Sequence, residues 1–136
     1  MNYWLLKSEP FKYSWEQLVK DGKTFWDGVR NYQARNNLRA MKAGDKALFY
    51  HSNEGLCVVG IARIVTEAYQ DPTTDNAQWV VVDIAPEKPF KTPVTLAEMK
   101  QIPQLQSLSL IKQSRLSVCP LTKAEFDFIV QMGMEG

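Results

Sequence analysis

The sequence has little of what most catalytic and metal sites require. It contains a single histidine, His51, and two cysteines, Cys57 and Cys119, which lack the close spacing of metal ligands. A nucleophile elbow, a glycine-rich phosphate loop and a zinc-deaminase pattern are all missing from it. We therefore expect a protein that is not an enzyme and that uses no metal or cofactor.

The sequence also has little excess of positive over negative charge and no long apolar run. The 136 residues carry a formal net charge of +1, so any contact with a polyanion must be local rather than spread over the surface. No apolar run approaches the roughly 20 residues that cross a membrane, and Met1 is followed by a short apolar segment rather than by a signal peptide. These features predict one domain, 1–136, with no membrane contact and a cytoplasmic location.

Helices are predicted from capping boxes, in which Ser or Thr is followed three positions later by Gln or Glu. Helix starts are accordingly expected at Ser14, Thr95 and Thr122. A further short helix is predicted from Tyr32 to Met41, after a loop from Thr24 to Val29.

Strands are predicted where short apolar runs lie between turn residues. Pro86, Pro89 and Pro93 are expected to interrupt the sheet, because proline has no N–H to donate to a strand ladder. Strands and helices mix without regular alternation, which is typical of an α+β protein whose mostly antiparallel sheet is closed or nearly closed into a small barrel. The predicted strands are Tyr3–Lys7, Lys46–Ser52, Leu56–Glu67, Gln78–Ala85 and Leu116–Cys119.

The most informative segment is Thr24–Arg39, TFWDGVRNYQARNNLR, which combines aromatic rings with three arginines and three asparagines. Planar rings beside amide and guanidinium groups suit the binding of a nucleobase. The alternative is a solvated loop with a helix cap, in which Trp26 is ordinary core. If the predicted strand ends meet at one barrel mouth, Ser8, His51 and Ser52 join Trp26 in one pocket.

Four strings of the sequence carry a family resemblance: YWLLKSEP, WDGVRNYQARNNLR, LFYHSN and RLSV, in this order. They closely resemble the EVE domain, a small family of the PUA-like superfamily, over essentially the whole chain. The resemblance implies a PUA-like pseudo-barrel of mostly antiparallel strands flanked by short helices. It also implies a reader of modified bases, with methylated or hydroxymethylated cytosine in DNA as the favoured ligand class.

The related YTH domain, which holds a methylated adenine of RNA in an aromatic cage, suggests individual roles. Lys7-Ser8 resembles the pair whose serine lies beside the base, and Trp26 resembles the first cage tryptophan. The second cage wall of the YTH domain is a tryptophan in the loop after the long strand. Here the corresponding loop, residues 69–77, offers Tyr69 instead.

We therefore predict a non-catalytic module that captures a flipped or unpaired modified base of a nucleic acid, DNA or RNA, in an aromatic pocket. Two alternatives stay open: a pocket for a free planar ligand such as a nucleoside, which the near-neutral charge favours, and an enzyme acting on a modified base. The predicted base-binding residues are Ser8, Trp26, Arg30, Asn31, Tyr50, His51 and Ser52, and the predicted phosphate-binding residues are Arg35 and Arg39.

Overall fold

The computed structural model of the protein describes residues 1–135 and contains one sheet with helices packed around it. The strands are β1 (Tyr3–Ser8), β2 (Thr24–Phe25), β3 (Lys46–His51), β4 (Cys57–Gln70), β5 (Val80–Thr95) and β6 (Val118–Leu121). The helices are α1 (Trp15–Asp21), α2 (Tyr32–Ala40), α3 (Leu96–Lys100), α4 (Ser109–Lys112) and α5 (Lys123–Glu135), with a 3-10 turn at Pro103–Leu105.

The sheet has six strands in the order β2-β5-β4-β3-β1-β6. Its neighbours are antiparallel except for β1 and β3, which run parallel with Ser8 opposite His51. The edge strands β2 and β6 do not pair within the described residues, so the barrel stays open. The predicted α+β class, with a mostly antiparallel sheet and short flanking helices, is confirmed.

The predicted helix starts are confirmed by their hydrogen bonds. The Ser14 hydroxyl accepts from the Gln17 N–H at 3.1 Å, and the Thr122 hydroxyl accepts from the Glu125 N–H at the same distance. Thr95 forms the full reciprocal box with Glu98. Side-chain oxygens thus satisfy N–H groups that have no partner inside the helix.

The predicted break at Pro86, Pro89 and Pro93 is wrong, because β5 continues to Thr95. β2 pairs only with Asp83 and Ile84 of β5, so beyond these residues this ladder leaves one side of β5 unpaired. Proline is tolerated on such an edge, and the register shifts between β4 and β5 accommodate the irregular backbone. β2 lies where a loop was predicted, because a strand of two residues is too short to show a periodic pattern in the sequence.

An aromatic cluster in the core positions the segment that follows β2. The Phe49 ring is in edge contact with both Trp15 and Trp26, with ring centroids 5.6 and 5.5 Å apart respectively. Trp15 packs so closely on the sheet that a Cβ atom at Gly60 would lie 2.6 Å from its ring. The Trp15 side chain of helix α1 therefore packs directly on β4, and Trp26 packs against Phe49.

Candidate functional site

A cavity of about 460 Å³ opens where β1 ends and the chain segment around β2 passes beside it. Its volume falls within the range of roughly 300–1,000 Å³ that is usual for small-ligand sites. Its wall is aromatic in part and otherwise mostly polar, with both acidic and basic side chains. The lining residues are Lys7, Ser8, Glu9, Lys12, Tyr13, Thr24, Phe25, Trp26, Asp27, Gly28, Val29, Arg30 and Ser117.

Trp26 forms part of the aromatic wall and is held from several directions. Its backbone N–H donates to the Val82 carbonyl at 2.8 Å, which ties it to β5. Its ring lies edge-on to Tyr13, with centroids 6.4 Å apart, as well as to Phe49. Trp26 is only 8% exposed, so it is both a core residue and a wall of the cavity. Phe25, which is 41% exposed, lines the same cavity.

The end of β1 supplies the polar side of the cavity. The Ser8 hydroxyl donates to the Tyr13 carbonyl at 2.5 Å, so its oxygen presents lone pairs to other donors. The Lys7 ammonium donates to the Ser114 carbonyl at 2.8 Å. Burial lowers the pKa of Lys7, while the nearby Cys119 acts in the opposite direction.

Two carboxylates on the cavity wall, Glu9 and Asp27, were not predicted as site residues. Glu9 is held by Lys12 at 3.2 Å and by the Asn53 amide at 2.6 Å. A signal for both existed in the sequence, because Glu9 directly follows Ser8 and Asp27 directly follows Trp26. Carboxylates at such a site can accept hydrogen bonds from an exocyclic amino group.

The buried carboxylate of Asp71 holds the chain segment that follows Trp26. It accepts from the Gly28 N–H at 3.3 Å, from the Arg30 guanidinium at 3.0 Å, and from the N–H and hydroxyl of Thr73 at 2.7 and 2.5 Å. Burial alone would raise the pKa of Asp71, but these hydrogen bonds outweigh it and lower the pKa below its ordinary value. Asp71 is therefore an anionic anchor for Gly28 and Arg30.

The end of β3 was predicted to line the pocket, but none of its residues lies on the cavity wall. The His51 Nε2 atom accepts from the Trp15 N–H at 3.1 Å, so the neutral imidazole serves the first turn of α1. Burial lowers the pKa of His51, although the charge of Glu16 acts in the opposite direction. Tyr50 is 2% exposed and turned into the core, where burial raises its pKa to about 12.

The structure thus separates the predicted base-binding residues into two groups. Ser8, Trp26 and Arg30 share the cavity. Asn31 instead caps α2, where its side-chain oxygen accepts from the Ala34 N–H at 2.9 Å, and it borders a separate depression. Off the cavity wall lie Asn31, Tyr50, His51 and Ser52. Tyr69, the aromatic residue of the loop where the YTH domain has its second tryptophan, also lies off it and donates to Asp83. The roles of all of them in binding stay predictions.

The predicted phosphate-binding residues, Arg35 and Arg39, lie outside the cavity on α2. Arg35 donates to the Asn36 side chain, and Arg39 donates to the Gln78 carbonyl at 3.4 Å. Neither arginine belongs to an ion pair within residues 1–135. Their charges are therefore not neutralised by a contacting carboxylate in the described chain.

A cluster of metal-ligating side chains and a membrane-spanning helix are both absent from the described residues. No group of three or more His, Cys, Asp or Glu side chains in this part of the chain is placed to hold a metal ion. No helix in it is long and apolar enough to cross a membrane.

Comparison with known proteins identifies the family. The model of the EVE domain matches residues 2–132. The chain belongs to the EVE domain family. Thymocyte nuclear protein 1 of Rattus norvegicus is 42% identical over an alignment of 165 positions, which covers 96% of this chain and 73% of the rat protein.

Solved structures of similar chains agree with the EVE domain fold. A crystal structure of a protein from Agrobacterium tumefaciens is 49% identical, with a TM-score of 0.96 over 98% of this chain and 93% of that one. The human THYN1 protein in complex with DNA containing 5-methylcytosine is 39% identical, with a TM-score of 0.91 over 98% of both chains. ASCH from Zymomonas mobilis is 12% identical with a TM-score of 0.60, covers 96% of this chain and 94% of that one, and shares the fold alone.

Proposed function

We propose that this EVE domain is a non-catalytic module that binds a modified base of DNA, of the 5-methylcytosine class, in the cavity beside Trp26. The observation that carries the proposal is the tryptophan-walled cavity of about 460 Å³ in a fold that closely matches a human protein bound to such DNA. A protein pocket cannot enclose a base that remains in the stack, so the base enters flipped or unpaired.

The aromatic wall provides stacking. Phe49 and Tyr13 pack against Trp26 edge-on, which fixes the indole ring before a ligand arrives. Stacking on an aromatic side chain contributes about 1–3 kcal/mol per base. Unstacking the base from its neighbours costs about a few kcal/mol. The two terms nearly offset each other, so selectivity must come from polar contacts and from the fit of the modification.

The polar wall matches the hydrogen-bonding edge of cytosine. Cytosine presents an exocyclic amino donor, which a carboxylate accepts well. Asp27 and Glu9 supply carboxylates, and the Ser8 oxygen accepts as well because its own proton is donated to Tyr13. Lys7 supplies donor capacity for the carbonyl and ring-nitrogen acceptors of the base. The wall thus holds partners for both the donor and the acceptors of that edge.

The position of His51 supports binding rather than catalysis. It is the single histidine, and its Nε2 lone pair is occupied by the Trp15 N–H. It also lies off the cavity wall, so it has no contact with a bound base through which to move a proton. Turnover of a modified nucleoside by the purified protein would contradict this part of the proposal.

The competing function is capture of a free modified nucleoside, which the net charge of +1 favours. A salt titration separates the two, because the affinity for a polynucleotide falls steeply with salt while the affinity for an uncharged nucleoside hardly changes.

The proposal is tested with matched oligonucleotides that differ at one position: cytosine, 5-methylcytosine, 5-hydroxymethylcytosine or N6-methyladenine. Burying one methyl group contributes about 0.8 kcal/mol, so 5-methylcytosine should bind about fourfold or more tightly than cytosine. The Trp26→Ala variant should lose this preference, whereas Trp15→Phe, which alters a tryptophan off the cavity wall, should keep it. Equal binding of all four oligonucleotides by the wild type would contradict the proposal.

A further inference from the structure

A second aromatic surface lies outside the cavity. The rings of Tyr32 and Trp79 stack with centroids 5.3 Å apart and an angle of 28° between their planes. Tyr32 is the first residue of α2, and Trp79 ends the loop between β4 and β5. Tyr32 is 58% exposed despite this contact, so the residue as a whole stays largely open to solvent. Neither residue lines the cavity.

Guanidinium groups extend this aromatic pair. The Arg30 guanidinium carbon lies 5.5 Å from the Trp79 ring centroid. The Arg35 guanidinium carbon lies 4.9 Å from the Tyr32 centroid and 6.0 Å from that of Trp79. These distances are within cation–π range. We call Tyr32, Trp79, Arg30 and Arg35 the stacking platform.

The charge at the platform favours an anionic partner. Arg30 is paired with the fully buried Asp71, so that positive charge is neutralised. Arg35 has no ion-pair partner in residues 1–135, and neither does Arg39, which donates to the carbonyl of Gln78 beside Trp79. Exposed aromatic rings beside guanidinium groups of uncompensated charge fit a nucleic-acid strand, which offers both bases and phosphates.

The platform is mechanically joined to the cavity. Arg30 lines the cavity and also lies against Trp79. The Asp71 carboxylate binds Arg30 and the Gly28 N–H of the cavity wall, while the Asp71 N–H donates to the Trp79 carbonyl at 2.9 Å. One residue therefore fixes the platform and the cavity relative to each other, as a continuous strand across both requires.

We propose that the stacking platform binds the nucleobase next to the captured one on the same strand, with Arg35 and Arg39 at the intervening phosphate. This inference rests on the proposed function, because the cavity must hold a base for its neighbour to reach the platform. The neighbouring base stacks on the exposed ring of Tyr32. The protein thereby reads an unpaired dinucleotide step rather than an isolated base.

The test uses short single-stranded oligonucleotides with one central 5-methylcytosine and an abasic residue on its 5′ or its 3′ side. Loss of one stacked base should weaken wild-type binding by about fivefold or more for one of the two sides. The Tyr32→Ala and Trp79→Ala variants should bind more weakly than wild type and should not respond to the abasic residue. Trp79→Phe retains a ring and should restore part of the response. Binding of free 5-methyldeoxycytidine should be unchanged in all three variants.

A matched control is Tyr3→Ala, which removes a ring from the Tyr3–Phe126 pair at the opposite end of β1 from Ser8. This variant should keep the wild-type response to the abasic residue. If wild type prefers the methylated oligonucleotide but the abasic residue weakens wild type and platform variants equally, the platform inference is overturned and the proposed function stands. If wild type binds neither the methylated oligonucleotide nor the nucleoside, the proposed function fails, and the platform inference with it.

Discussion

Two parts of the chain combine aromatic rings with hydrogen-bonding groups but differ in their surroundings. They are the segment Trp26–Arg30 and the end of β3 with the residue after it, Tyr50–Ser52. Trp26–Arg30 has irregular backbone after Trp26 and borders the cavity along its whole length. In Tyr50–Ser52 the Tyr50 ring lies in the core and the His51 imidazole caps α1. The first segment lines the cavity in which we propose that a base binds, whereas the second contributes to the core and to the start of α1.

The difference arises from the backbone. In β3 the main chain is paired on both sides, by β1 and β4, so side chains at its end are committed to the layers packed on the sheet. In the other segment a single buried carboxylate, Asp71, holds the Gly28 backbone and the Arg30 side chain. That segment lies outside the strands and lines the cavity, as is common for loops on a rigid scaffold.

The comparison is tested most severely at Trp26. The Trp26→Ala variant should lose base binding by roughly 5- to 150-fold, since it removes a stacking contribution of about 1–3 kcal/mol. Because one side of the ring faces the cavity, the free energy of unfolding should fall by less than the roughly 3–5 kcal/mol of a fully enclosed tryptophan. Oligonucleotide titration and urea unfolding measure the two effects. Global unfolding at room temperature would show that Trp26 is core alone.

The next largest effect should follow removal of the Asp71 carboxylate, which anchors the segment Trp26–Arg30. The Asp71→Ala variant leaves the donors of Gly28, Arg30 and Thr73 without their acceptor, and each unsatisfied buried group costs about 1–3 kcal/mol. We expect lower thermal stability and weaker base binding, with Asp71→Asn intermediate. Because the folded pKa of Asp71 is lowered, its contribution is present above the unfolded value of about 3.9 and is lost as the pH falls through the folded pKa. A variant with wild-type stability at pH 7 would contradict this role.

His51 should show the reverse pattern, with an effect on stability and little on binding. The His51→Leu variant keeps similar bulk but removes the acceptor of the Trp15 N–H, which should cost about 1 kcal/mol, as at other helix caps. The folded pKa of His51 is lowered, so its stabilisation is fully present above the unfolded value of about 6.5 and declines as the pH falls toward the folded pKa. Thermal unfolding between pH 5 and 8 should show this decline in wild type and not in the variant. A large loss of base binding with unchanged stability would place His51 in the site.

The smallest expected effect concerns the arginines outside the cavity. Replacing Arg35 and Arg39 together with Ala should reduce the slope of log affinity against log salt by about 0.7–0.9 for each phosphate that the protein no longer neutralises. Binding of a free nucleoside should hardly change, because it has no phosphate. A matched control is the double variant of Lys88 and Lys91, exposed lysines of β5 that do not line the cavity. An unchanged slope in the arginine variant would favour the free-nucleoside alternative.

Local patterns predicted the local features of this fold. The helix starts at Ser14, Thr95 and Thr122 followed from side chains that bond to N–H groups three positions away. The parallel β1–β3 pair and the continuation of β5 past its prolines depend on which strands become neighbours, and spacing along the chain does not encode this.

In the candidate site, too, some features were predictable from the sequence and others were not. Trp26 and Ser8 were predicted because an aromatic residue in a polar segment and a hydroxyl at a strand end are visible in the sequence itself. Asp71 was missed because its partners Gly28 and Arg30 lie 43 and 41 positions away. The contact of His51 with the Trp15 N–H was also missed, because that donor belongs to α1, 36 positions away.

The most direct test is to locate the methyl group of a bound base. An oligonucleotide carrying 5-methylcytosine with a ¹³C-labelled methyl group is bound to the protein, and nuclear Overhauser contacts are measured from that methyl group to the aromatic protons of the protein. Contacts to Trp26, with Tyr13 or Phe25, are predicted, because these three rings line the cavity. A methyl group in contact only with Tyr32 and Trp79, or with no aromatic ring of the protein, would contradict capture of the modified base in the cavity.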